Sequence, residues 1–170
     1  HPDAEQKLIE EAGRLVPTVS AVSADTVNAM QYTQQTLEEV LRLYPPVWLF
    51  TRRSRADDDL EEYDVPPGTD IYLSPFILHR TERYWPDPER FDPDRFAPTG
   101  KPRKDRPYFP FSLGPRRGLG EYFSFLEMKV HLGMLLPRFR LRLLDETEPQ
   151  LELGINLRSA TDIHMRVEQR

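Results

Sequence analysis

Glu39 and Arg42 stand three residues apart in a stretch of helical periodicity, the spacing at which a carboxylate and a guanidinium meet on one helix face. The apolar residues there, Leu37, Val40, Leu41 and Tyr44, recur at i, i+3, i+4 and i+7 and define one buried face. The charged pair points away from that face. Periodicity alone therefore predicts an exposed ion pair contributing about 0.2–0.5 kcal/mol. Further along, Phe111-Ser112-Leu113-Gly114-Pro115-Arg116-Arg117-Gly118-Leu119-Gly120 combines three glycines with two adjacent arginines. His79, His131 and His164 are possible nitrogen donors, and each reads as an ordinary surface or hydrogen-bonded histidine. There is no cysteine, which excludes disulfides, cysteine-ligated zinc, iron–sulfur clusters and thiolate nucleophiles. Lys101, Arg103, Lys104, Arg106, Arg116 and Arg117 cluster around the single acid Asp105, which by itself reads as a solubilising charged loop.

The elements that must position these residues follow from composition and pattern. With 170 residues the chain fills one domain. Its 28 acids outnumber its 23 bases for a net charge of −5, a balance that argues against nucleic acid as a partner. No apolar run approaches the roughly 18 residues of a membrane span. The start, His1-Pro2-Asp3-Ala4-Glu5, lacks the features of a signal peptide, and we expect a cytoplasmic protein. A first helix is predicted over about 3–15 with Asp3 as its N-cap, and residues 18–29 read as connector. A second helix spans about 30–43 and is ended by Pro45-Pro46. Residues 47–53 read as a strand, the acids from Asp57 to Asp64 as a solvated turn, and Pro67-Gly68 as a type II turn before a strand at 71–73. Prolines 86, 88, 93, 98, 102, 107 and 110, interleaved with aromatics, predict a structured meandering coil. A third, deeply buried helix is predicted over about 120–136, with Phe123, Leu126, Val130 and Met134 on one face. Three half-buried strands follow, at 138–143, 151–157 and 163–167.

Three segments in this order resemble the C-terminal part of a cytochrome P450. Glu39-x-x-Arg42 is similar to that family's helix signature, Phe91-x-Pro93-x-Arg95-Phe96 to its meander, and Phe111-x-x-Gly114-x-Arg116 to the opening of its haem loop. The resemblance spans almost the whole chain, as a single partial domain over 1–170. It implies a mainly α fold with small β elements, from about the family's helix J onward. It also implies that Glu39, Arg42 and Arg95 form a buried structural triad, against the exposed-pair reading. A haem site would draw on Arg52, Phe111, Gly114, Arg116, Gly118 and Gly120, with Arg52 and Arg116 facing the haem propionates. The family's axial cysteine falls at Gly118, so the resemblance implies haem as cofactor without supplying a metal ligand.

Two functions follow from the resemblance. The first is the C-terminal part of a haem-dependent monooxygenase that inserts oxygen from O₂ into an organic substrate. Such a chain is not competent alone, because the thiolate and the distal half of the pocket are absent. Lys101, Arg103, Lys104, Arg106, Arg116 and Arg117 would then face an acidic redox partner. The second is a non-catalytic, P450-like helper or scaffold that binds a partner enzyme or an amino-terminal half.

Overall fold

The computed structural model describes residues 1–98, 106–144 and 147–170. Helix α1 (Pro2–Leu15) takes His1 rather than Asp3 as its N-cap, because Pro2 suits the first helical turn, where its missing N–H costs nothing. The segment read as connector contains a short helix, α2 (Ala24–Asn28). Its start is a capping box: Ser23 Oγ accepts the Thr26 N–H while Thr26 Oγ1 accepts the Ser23 N–H. Helix α3 (Gln31–Leu43) follows, and helix α5 (Glu121–Leu135) packs on α1, α2 and α3. Between them lie the one-turn helix α4 (Pro75–Leu78) and a 3₁₀ turn at Pro93–Phe96 that packs against α3.

Ala12, Val16 and Met30 form the core where α1 meets α5. Gly133 of α5 allows that approach, since a Cβ there would come within 3.1 Å of Met30 Cε. A second, aromatic core lies under the proline-rich coil, where Trp85, Phe96 and Phe109 are buried with His79. The described parts of the predicted coil, 84–98 and 106–110, are thus held by their aromatic residues, while Pro102 lies outside the described residues.

All strands pair antiparallel and two by two. β1 (Phe50–Arg53) pairs with β4 (Asp70–Leu73), Arg52 opposite Ile71. Between them the acid run is a hairpin, β2 (Asp58–Leu60) with β3 (Tyr63–Val65), rather than a plain turn. The turn at Pro67-Gly68 forms as predicted, with Gly68 at φ +85° and the Thr69 N–H donating to Pro66 O at 3.2 Å. β5 (Phe139–Leu143) pairs with β8 (Met165–Gln169). The single strand expected over 151–157 is instead a hairpin, β6 (Leu151–Leu153) with β7 (Leu157–Ser159), turning through Gly154.

The C-terminal strands are largely exposed rather than half-buried, because each sheet has two strands and only Leu157 is fully covered. Helix α5 is likewise less buried than predicted. It buries Lys129 and Gly133 against α1 and α3, while Phe123 is 65 % exposed. A helix apolar on all sides, packed on one side, leaves the remainder in water.

Candidate functional site

Helix α3 is packed on two faces, and the second carries charge. Glu39 and Arg42 are both 0 % exposed, which corrects the exposed pair that periodicity predicts. Conversely, Val40 and Tyr44 of the predicted buried stripe are exposed, and only Leu37 and Leu41 are covered. The reason is that the 3₁₀ turn Pro93–Phe96 packs on this side of α3, while the chain leading into it offers the Arg90 carbonyl and the Asp92 N–H.

Arg42 binds Glu39 through two parallel bonds, Nε to Oε2 at 2.7 Å and Nη2 to Oε1 at 2.9 Å. Its Nη1 donates to the His79 carbonyl at 2.8 Å, and Nη2 also reaches the Arg90 carbonyl at 3.4 Å. The Asp92 N–H donates to Glu39 Oε1 at 2.8 Å. Arg95 joins more loosely. Its Nε lies 3.5 Å from Glu39 Oε1, an ion-pair distance without a hydrogen bond, and its Nη2 donates to Asp87 O at 2.7 Å. Desolvation lowers the Arg95 pKa, opposed by the nearby Glu39 carboxylate. One carboxylate thus fastens a proline-rich coil to a helix through one arginine fork, one backbone N–H and a second, looser cation.

His79 extends this clasp toward the loop. Its ring is wholly buried against Trp85, Tyr108 and Phe109, and its Nε2 accepts the Phe109 N–H at 3.0 Å. That bond places the ring proton on Nδ1, which has no partner. Burial, with the neighbouring Arg42 and Arg80 cations, holds the imidazole's pKa down at about 4. It is a neutral structural histidine, while His131 and His164 are exposed.

From Phe109 the chain enters the glycine loop. The Gly118 N–H donates to Phe111 O at 2.8 Å and the Arg117 N–H to Gly114 O at 3.0 Å. Gly114 sits at φ +63°, a conformation glycine adopts without strain. Gly120 is the N-cap of α5, and its carbonyl accepts the Ser124 N–H at 2.8 Å. A cleft of about 640 Å³ opens between this loop, β1 and α5, and Arg52, Phe111, Arg116 and Gly118 all line it together with Phe50 and Met128. Arg52 is held in place by Ser112, whose Oγ accepts from its Nη2 at 2.9 Å, and lies over the Phe50 ring. Gly114 and Gly120 shape the loop without lining the cleft. A Cβ built on Gly118 would meet only Phe111, at 3.5–3.7 Å, an ordinary contact.

The basic cluster divides. Lys101, Arg103 and Lys104 lie outside the described residues. Arg106 stacks over Trp85, Arg117 pairs with Glu121 through Nη2 at 2.8 Å, and Arg116 lines the cleft.

Sequence reasoning missed two buried groups. Glu11 of α1 caps α3 from a distance, accepting the Tyr32 and Thr33 N–H groups at 2.8 Å each and Thr33 Oγ1 at 2.7 Å. Lys129 is the buried lysine of α5. Neither is adjacent in sequence to a recognisable motif, so only the packing of α1, α3 and α5 brings them into view.

Among known proteins, the family model described as cytochrome P450 matches residues 1–161. Cytochrome P450 3A6 of Oryctolagus cuniculus is 37 % identical over 158 residues, which cover 91 % of this chain and 31 % of the relative. Cytochrome P450 3A17 of Cavia porcellus is 34 % identical over 173 residues, covering 100 % of this chain and 34 % of the relative. The chain spans about a third of the length of the curated relatives it matches.

Proposed function

Because the chain belongs to the cytochrome P450 family, we propose that it is the C-terminal part, from about helix J onward, of a haem-dependent monooxygenase that inserts oxygen from O₂ into an organic substrate. The observation that carries this reading is the cleft where Arg52, Phe111, Arg116 and Gly118 converge. The family implies haem, which when bound supplies the oxygen chemistry. Two arginines on a largely apolar wall fit the carboxylates and face of a tetrapyrrole. The iron is a different matter. No thiolate or imidazole lines the cleft among the described residues, and the family's ligand position is Gly118. The residues therefore fit the rim of the group and not its haem–thiolate ligation, and we infer that the chain alone is not a competent monooxygenase.

In this reading Glu39, Arg42 and Arg95 are structural. They hold the coil that leads through His79 and Phe109 into the loop. Lys101, Arg103, Lys104, Arg106, Arg116 and Arg117 are the proposed contact for an acidic redox partner. The exposed faces of α5 and the C-terminal strands are the surfaces that the rest of such an enzyme would cover. A second reading, a non-catalytic helper that binds a partner enzyme, is favoured by the glycine at 118 standing in an otherwise well-formed loop.

One experiment tests both. The chain is fused behind the amino-terminal two thirds of the Oryctolagus relative, as wild type, Gly118→Ala and Gly118→Cys. Each fusion is loaded with haemin, reduced and exposed to CO. Gly118→Cys is expected to show the thiolate–CO optical signature, and the other two are not. A folded, haem-bound Gly118→Cys without that signature overturns the loop placement. A folded wild type that takes up no haem favours the helper reading.

A further inference from the structure

Lys129 sits at the shared wall of two clefts that the reading above does not use. One, of about 440 Å³, lies between α5, α3 and the segment around Arg117; the other, of about 320 Å³, lies between α3 and Pro98. The lysine is 8 % exposed, and its nitrogen has no hydrogen-bond or ion-pair partner among the described residues. Its stem is buried while its nitrogen keeps contact with the clefts, so the amine is partly desolvated and held by no counter-charge. The acids around it leave it unmatched. Glu11 spends its oxygens on the start of α3, Glu38 accepts from Gln34 Nε2 at 3.2 Å, and Glu121 is bound to Arg117. Desolvation lowers the Lys129 pKa, and the more distant Glu11 and Glu38 only partly oppose it. A desolvated amine that still reaches open space is the arrangement that makes lysine nucleophilic. An anionic ligand fits poorly, because Glu38 lies on the walls of both clefts.

We propose that Lys129 is a covalent-modification site for small aldehydes, which enter either cleft and condense with its amine. The uncharged nitrogen attacks the carbonyl carbon and a C=N bond forms. The carbonyl oxygen leaves as water, taking both amine protons, and no electrons are exchanged.

The chain has only four lysines, at 7, 101, 104 and 129, so the site of reaction can be read directly. The folded protein is treated near neutral pH with propanal and cyanoborohydride, and alkylation at each lysine is followed by peptide mass mapping. Lys7, a half-exposed lysine paired with Asp94 at 3.8 Å, is the internal reference. Lys129 is expected to react at least ~3-fold faster than Lys7, since desolvation leaves more of its amine uncharged at neutral pH. The preference should vanish in urea. Equal or slower labelling of Lys129 in folded protein overturns the proposal, because a lysine that only packs is shielded. So does a preference that persists after unfolding.

Discussion

The clasp on α3 and the loop around Gly118 solve the same problem, holding an irregular segment against a helix, by opposite means. The clasp uses buried charge. Glu39 receives an arginine fork and a backbone N–H, and Arg42 spends its remaining donors on the carbonyls of His79 and Arg90. The loop uses its backbone, through the Gly118 bond to Phe111 O and the Arg117 bond to Gly114 O, with a positive-φ glycine at the turn. A charge network fails as a unit when one member goes, whereas a backbone-held loop tolerates a changed side chain. Position 118 can therefore hold glycine without loss of local shape, and position 42 has no such latitude.

The sharpest way to break this contrast is Arg42→Ala. It leaves the Glu39 carboxylate buried beside one loose cation, and a loss of about 3–5 kcal/mol in urea unfolding is expected. A loss below about 1 kcal/mol would show that Arg95 and water take over, and that the clasp is not a unit. The next effect is on pH. The folded-state pKa of His79, about 4, lies below the ordinary 6.5, so the unfolded chain binds the extra proton first. Its contribution is fully present above pH 6.5 and is lost as pH falls toward 4, amounting to about 3 kcal/mol. Urea midpoints measured across that window should fall more steeply for wild type than for His79→Gln. Matching slopes would remove His79 from the account. The smallest effect tests the loop itself. Gly118→Ala places a Cβ at ordinary contact distance from Phe111, and stability should stay within about 1 kcal/mol of wild type.

Apolar spacing revealed three helices, at α1, α3 and α5, because each carries a run of leucines, isoleucines or valines long enough to show a period. It did not reveal α2, five residues whose start is fixed by the hydroxyls of Ser23 and Thr26 rather than by an apolar stripe. Nor did it reveal which face of α3 is buried. A periodicity argument counts only apolar residues, and a helix clasped through its polar side looks exposed to it. The motif spacing around Glu39, Arg42 and Arg95 was legible as a family resemblance, and their closeness is a fact of the fold. The unequal roles of the two arginines are not written in the spacing, since they depend on which carbonyls of Asp87 and Arg90 turn inward. Alternation at 151–157 read as one strand, because Gly154 and Asn156 break the strand without interrupting the pattern of apolar residues.

One tie has a bearing on how the chain is made. The Trp48 indole N–H donates to Gly154 O at 2.8 Å across 106 residues of sequence, and the Leu157 N–H reaches Pro46 O at 2.8 Å. The strand that carries Arg52 follows directly on that anchor. At ribosomal speeds of about 5–20 residues per second, residues 46–48 wait about 5–20 s before their partners are synthesised. Throughout that interval the approach to β1 lacks the tie, and the cleft wall it supports is completed late. The emerging chain thus leaves Trp48 and Phe50 uncovered together during synthesis, two aromatic residues for which a chaperone and a neighbouring nascent chain would compete.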